Sequence, residues 1–188
     1  MPARLIYVVG PSGSGKDSLL RYAREKLADD PGVVFAHRYI TRAADAGGEN
    51  HVALTPAEFA SRQRNRLFAL AWHSHGHAYG IGIEISQWLA KGATVVVNGS
   101  REYLAEASQR FPELLAVSID VPAEVLRERL LARGREDAAS VEQRLERHRR
   151  MQSPSPSGHV ITNDGPLERA GEALVALLRE HAGQPLCA

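Results

Sequence analysis

The run Leu5-Ile6-Tyr7-Val8-Val9, closed at once by Gly10-Pro11-Ser12-Gly13-Ser14-Gly15-Lys16, leaves this chain few ways to fold. A continuous apolar run with no polar alternation reads as a strand buried on both faces, as in a parallel sheet covered by helices. From Ser14 to Leu27 the spacing turns helical, with Leu19, Leu20, Ala23 and Leu27 on one stripe. Between strand and helix, the glycines let successive backbone N–H groups turn toward one point. The helix N-terminus adds partial positive charge there. Strand, G-x-x-x-x-G-K and helix in that order are the context that identifies a phosphate-binding P-loop. Gly10, Pro11, Ser12, Gly13, Ser14, Gly15 and Lys16 are therefore candidate ligands for nucleotide phosphates. Lys16 is placed to bridge the outer phosphates and to stabilise charge as a phosphoryl group transfers.

One position departs from the motif. Where Ser or Thr ordinarily offers a hydroxyl to Mg²⁺, this chain has Asp17, followed by Ser18. A carboxylate is a good hard-oxygen ligand for Mg²⁺, but it also sets a negative charge near anionic phosphates. Three readings stay open: Asp17 serves the metal directly or through water, Ser18 compensates, or Asp17 caps the helix start. Asp17 is carried forward as the candidate metal ligand.

The rest of the chain repeats the strand-then-helix order. Thr94–Val97, Leu114–Ile119 and His159–Thr162 are further apolar runs, each followed by helical spacing. Four such units predict an α/β domain with a mainly parallel sheet flanked by helices. At 188 residues, with hydrophobic residues at 44% and charged ones at 24%, one globular domain spanning residues 1–188 is expected. The formal net charge of +1 argues against a bulk polybasic nucleic-acid binder. Cys187 is the only cysteine, which excludes an intramolecular disulfide and a thiol-rich metal site. No apolar stretch approaches the roughly 20 residues of a membrane span, and no secretory signal is evident. A cytoplasmic protein that binds neither membrane nor nucleic acid is expected, with a homodimer left open.

Two segments break the alternation. Residues 36–82 are rich in His, Arg, Gly and Asn, with a short helical piece near Pro56–Arg62, and read as an inserted substrate-binding region. Residues 129–150 are Arg-rich with sparse apolar positions and read as a mobile basic flap, or lid. Ser153–Gly158 reads as a loop. A P-loop domain with such an insert and flap fits a small-molecule kinase better than a switch or motor, because a kinase must close over two phosphorylated ligands and exclude water.

Five pieces, in order, resemble the guanylate kinase family over nearly the whole chain. They are Gly10–Lys16, Tyr39-Ile-Thr-Arg42 with Gly48-Glu49, Tyr79-Gly80, Arg133-Gly134 with Arg144-Leu145, and Val160–Asp164. The resemblance implies a guanylate-kinase-like P-loop kinase fold, with Arg42 and Tyr79 on an acceptor phosphate. The acidic side chains that read guanine in that family are missing. Leu70, Asn98 and Ser100 stand where they are expected, so Leu70 is expected to face the acceptor site.

The same stretches resemble a narrower family, the ribose 1,5-bisphosphokinases of phosphonate catabolism. The resemblance includes Asp17, Ala36–Arg42, Glu49-Asn-His51, Trp72-His73, Val97-Asn-Gly-Ser-Arg101, Arg133-Gly-Arg-Glu136 and Asn163-Asp-Gly165. It implies ATP- and Mg²⁺-dependent phosphorylation of ribose 1,5-bisphosphate to 5-phosphoribosyl 1-diphosphate. Arg38, Arg42, His51, Tyr79, Asn98, Ser100 and Arg101 become candidate substrate ligands, with His37 and Asn50 as further donors. Arg133 and Arg144 become candidate catalytic clamps beside Lys16, and Asn163 a nucleotide contact.

Blander readings compete for some of these. Arg129, Arg135, Arg147, Arg149 and Arg150 fit a solvated helix face. Trp72 fits the core, and His73, His75 and His77 fit a hairpin edge better than a metal site. Asp120 ends an apolar run but carries no assigned role.

Overall fold

The computed structural model describes residues 4–44, 49–132, 138–150 and 158–183. Arg133, Arg135, the Ser153–Ser157 part of the predicted loop and Cys187 lie outside these, as do the side chains of Arg147 and Arg150. Among the described residues no helix is long and apolar enough to cross a membrane.

The first apolar run is β1 (Leu5–Val9), and α1 (Lys16–Lys26) follows the glycine-rich turn. β1 is the centre of a five-stranded parallel sheet. Its neighbours are β7 (Thr94–Asn98) and β8 (Leu115–Asp120), with β2 (Val33–Phe35) and β9 (His159–Thr162) at the edges. Its lack of polar alternation has a direct cause. Ile6 and Val8 pack with Leu19, Ala23 and Leu174 of the helices on one face, while Leu5, Tyr7 and Val9 pack with Leu70, Trp72 and Ile85 on the other. Both faces are core, so both side-chain sets are apolar. The helix on the first face is α7 (Leu167–Glu180), which lies so close to α1 that a Cβ on Gly171 would stand 2.6 Å from the Tyr22 ring.

Sequence periodicity predicts four of the five parallel strands. β2 escapes it because three residues after Pro31-Gly32 are too few to show a period. The larger difference lies in the insert. Besides α2 (Pro56–Arg64), residues 36–82 build a second, four-stranded sheet ordered β4 (Val52–Ala53), β3 (Arg38–Ile40), β6 (His77–Gly82), β5 (Phe68–Ser74). The helix starts where a capping box sets it: Thr55 Oγ1 accepts from the Glu58 N–H at 3.2 Å, and the Thr55 N–H donates to Glu58 Oε2 at 2.8 Å. The hairpin between β5 and β6 turns at His75 and Gly76, with φ of 50° and 76°, the left-handed pair that a two-residue turn requires. The alternating histidines mark this hairpin edge in the sequence while glycines blur the extent of β6, yet Gly80 is required there. A Cβ on it would stand 2.6 Å from the Phe68 ring.

The remaining elements are α3 (Glu84–Ala90), α4 (Leu104–Arg110), α5 (Ala123–Ala132) and α6 (Ala138–Arg150). α5 and α6, the Arg-rich segment, share a small apolar cluster of Val121, Leu126, Leu130, Val141 and Leu145. The sparse leucines and valine of that stretch are thus a helix–helix seam. The turns after β1, β7, β8 and β9 all leave the carboxyl edge of the parallel sheet, where open α/β sheets place their ligands.

Candidate active site

The turn after β1 is built from left-handed glycines. Gly13 and Gly15 have φ of 94° and 82°, and Gly15 precedes α1 with no side-chain cap, leaving the helix N-terminus to backbone N–H groups. A Cβ on Gly13 would meet Leu126 Cδ1 at 2.8 Å, so α5 rests directly on the loop. Two arginines from the α5–α6 pair also reach it. Arg144 Nη1 donates to Ser12 Oγ at 2.7 Å, and Arg129 Nη1 donates to the Ser14 carbonyl at 3.4 Å.

Behind the loop, Asn163 is 3% exposed, and its Nδ2 donates to the same Ser14 carbonyl at 2.6 Å. The structure therefore makes Asn163 a buttress of the loop and not part of the cavity wall. Its position after β9 brings it under the loop, where a buried amide must find a partner. Ser14 is fully buried as well, off the cavity wall, and its N–H donates to the Pro11 carbonyl at 3.1 Å.

The loop forms one wall of a cavity of about 510 Å³. Gly10–Gly13, Gly15, Lys16, Asp17 and Ser18 line that wall, and Arg144 lines it from α6. The opposite wall comes from the inserted sheet and the turn after β7. Arg38, Arg42, Trp72 and Tyr79 lie there, with Ser74, His75 and His77 at the hairpin tip and Ser100, Arg101 and Glu102 after β7. Residues far apart in sequence thus face one another across one space, with arginines on both sides.

Lys16 and Asp17 are held by Asn98. Lys16 Nζ donates to Asn98 Oδ1, Asn98 Nδ2 donates to Asp17 Oδ1 at 3.0 Å, and Lys16 Nζ stands 3.5 Å from Asp17 Oδ1. Burial pulls the Lys16 ammonium below its usual pKa, with Asp17 opposing. Partial desolvation pushes the Asp17 carboxyl up. Lys16, Arg38 and the Asn98 amide outweigh it, leaving Asp17 below the ordinary carboxylate value and ionised at neutral pH.

Arg38 is committed on several sides. Its Nε donates to Glu49 Oε1 at 2.6 Å and its Nη2 to Glu49 Oε2, with both side chains nearly buried. Burial alone would lower its pKa, but Glu49 reverses this and raises it. The guanidinium carbon also lies 5.0 Å from the centroid of the Tyr79 ring, which stacks on Trp72 (5.6 Å, 4°), which in turn stacks on Tyr103 (5.5 Å, 25°). This column fixes one face of the cavity. Trp72 belongs to the core, as the sequence suggests, while part of it still lines the cavity. Arg42 Nε is buried with no hydrogen-bond partner among the described residues.

Some candidates fall elsewhere. His51 is 8% exposed and off the cavity wall, its ring nitrogens 3.1 Å from the Glu49 carbonyl and 3.2 Å from the Arg42 carbonyl. Standing just before β4, it ties the Arg42 and Glu49 backbones together through its ring. His37 and Asn50 pair with each other at 3.1 Å, away from the cavity. Leu70 does not face the acceptor side at all. A bulge between Phe68 and Leu70 shifts the register, and Leu70 is fully buried in the core against β1. Asn98 faces the loop lysine instead of the cavity. Ser100 and Arg101 do line the cavity, with the Ser100 N–H donating to Tyr7 Oη at 3.0 Å. Sequence reasoning missed Glu102 and Ser74, signalled only by their adjacency to Arg101 and to His73, whereas His75 and His77, read in the sequence as a hairpin edge, do line the cavity.

Comparisons with known proteins agree with this geometry. The domain family described as "AAA domain" matches residues 6–152. In fold the chain is similar to a guanylate kinase from Anaplasma phagocytophilum, with a TM-score of 0.68 at 18% identity, covering 96% of this chain and 87% of that one. In sequence it is similar to a ribose 1,5-bisphosphate phosphokinase PhnN of Thiobacillus denitrificans, 59% identical over 94% of this chain and 93% of the relative. A protein of the same name from Desulfomicrobium baculatum is 59% identical over 95% of both chains. Identity at that level along nearly the full length of both partners, on a P-loop kinase fold, means that this chain belongs to the ribose 1,5-bisphosphate phosphokinase family.

Proposed function

We propose that this protein transfers the γ-phosphoryl group of ATP to the 1-phosphate of ribose 1,5-bisphosphate, giving 5-phosphoribosyl 1-diphosphate and ADP within phosphonate degradation. The observation that carries the proposal is the two-walled cavity, with a P-loop facing an arginine-bearing wall, in a chain 59% identical to relatives named for that substrate.

A phosphate monoester is its own nucleophile. Its ionised oxygen forms the new bond to the γ-phosphorus as the bond from that phosphorus to the β–γ bridging oxygen breaks, and ADP leaves with the charge. Such an attack needs no strong general base; it needs alignment and charge neutralisation. Lys16 and the N–H groups of Gly13, Gly15 and Lys16 neutralise the donor phosphates, and Arg144 approaches the transferring group from α6. Arg133 is the matching candidate beyond the described residues. Arg42 and Tyr79 hold an acceptor phosphate. Arg38, already bound to Glu49, adds charge and keeps the Tyr79 column in place. Ser100 and Glu102 offer acceptors for ribose hydroxyls, and Arg101 serves the second phosphate.

Mg²⁺ fits the residues present. The Asp17 carboxylate is ionised, lies on the cavity wall and keeps 44% of its side chain exposed. Mg²⁺ is commonly held by one or two carboxylates together with substrate phosphates, and when bound it supplies further charge neutralisation.

The test is product identification. Phosphorus NMR of a reaction with ATP and ribose 1,5-bisphosphate is expected to show ADP and a new sugar diphosphate in equal amounts, with the 5-phosphate signal retained. ADP without a sugar diphosphate would reduce the protein to an ATPase and overturn the proposal.

A further inference from the structure

Asn98 ends β7 at 7% exposure, and its neighbours Gly99, Ser100 and Arg101 form the cavity wall while its own amide turns beneath them toward the P-loop. The two ends of that amide do different work. Oδ1 accepts from the Lys16 ammonium, and Nδ2 donates to Asp17 Oδ1 at 3.0 Å. An ammonium has only donors and an ionised carboxylate only acceptors, so both neighbours demand this one orientation of the amide.

Lys16 and Asp17 are adjacent in sequence and opposite in charge, yet they stand 3.5 Å apart. A closed ammonium–carboxylate pair would sit at roughly 2.7–2.9 Å. A carboxylate that closed on Lys16 would compete with phosphate oxygens for the same ammonium. A neutral amide oxygen competes less, because it carries no net charge to attract the ammonium at close range.

We propose that Asn98 is a positioning residue of the nucleotide site, holding the Asp17 carboxylate off the Lys16 ammonium so that Lys16 stays free for phosphate and Asp17 for a metal ion. The proposal rests on reading Gly10–Lys16 as the nucleotide cradle and is independent of which acceptor the enzyme uses. Asparagine suits the task because it carries a donor and an acceptor on one short planar group. Aspartate at this position would set a second carboxylate about 3 Å from Asp17, where both cannot stay ionised cheaply. Leucine has nearly the same shape and offers neither contact.

The test measures ADP binding to the full chain by calorimetry, without Mg²⁺ and without any acceptor, so that a wrong sugar assignment leaves it untouched. Asn98→Leu is expected to weaken ADP about tenfold, the worth of roughly one charge-assisted hydrogen bond. Adding Asp17→Asn in the same chain is expected to recover most of that loss, because an amide at position 17 cannot form the competing ion pair. A purely structural role for Asn98 predicts no such rescue. Thermal unfolding checks that each variant is folded, and Asn98→Ser, too short to reach both partners, replaces Asn98→Leu if that variant does not fold. Unchanged ADP affinity in the folded variant, or independent, additive effects of the two substitutions, would overturn the proposal.

Discussion

Lys16 is expected to be indispensable to the proposed chemistry and marginal to folding. It projects from a loop toward the cavity, and its contacts are with Asn98 and Asp17 instead of the core clusters. Lys16→Ala is therefore expected to fold with an unchanged melting curve and to lose about a thousandfold in kcat, equivalent to about 4 kcal/mol of transition-state stabilisation. Activity within tenfold of the parent would remove Lys16 from the phosphate site. Asp17→Asn makes a complementary prediction. With the carboxylate gone, the Mg²⁺ concentration giving half-maximal rate is expected to rise severalfold, and an unchanged Mg²⁺ titration would remove Asp17 from the metal site; helix capping is no alternative, because α1 carries no side-chain cap. The two residues were legible in the sequence because the P-loop is contiguous. Their link through Asn98 was not, since it joins positions more than eighty residues apart and no local pattern encodes it.

At the scale of elements, close approaches of backbone to ring set the site's shape. The turn after β7 passes over Tyr7, which is fully buried in β1, and a Cβ on Gly99 would come within 2.2 Å of that ring. Gly99→Ala must displace either the strand's aromatic or the turn that carries Ser100 and Arg101, and overpacking of this kind costs roughly 1–3 kcal/mol. Chemical denaturation should show that loss as a lower midpoint, and a stability equal to the parent's would show that the turn yields freely. The inserted sheet marks where sequence reading stops. Its helix α2 was legible near Pro56–Arg62 and the β5–β6 hairpin from its alternating histidines, whereas the extent of β6 was not, because Gly80 serves packing against Phe68 and glycines suppress strand propensity. Leu70 shows the sharper failure. Phe68 and Leu70 are two apart and should share a face, but the bulge between them sends Phe68 to the α2 cluster and Leu70 to the core under the parallel sheet.

For the whole molecule, the design is a parallel sheet that presents a phosphate cradle and an inserted sheet that presents cations across from it. The order of strand and helix made the first half legible, because a βα repeat has few alternative foldings. The second half depends on which side chains a mixed sheet turns inward, and there the resemblance to sugar-bisphosphate kinases supplied what periodicity could not. Specificity does not come from a wall formed by Leu70, which is buried in the core. Among the described cavity residues, acidic groups are limited to Asp17, which accepts from the Asn98 amide, and Glu102. A guanine base, with several N–H donors, is expected to leave some of them unpaired at about 1–3 kcal/mol each, whereas a compact ribose with a phosphate at each end suits the roles proposed for Arg42, Tyr79 and Arg101. The most direct test compares kcat/KM for ribose 1,5-bisphosphate and for GMP in one enzyme preparation with MgATP. The sugar bisphosphate is predicted to win by on the order of a thousandfold or more, and comparable turnover of the two would contradict the account.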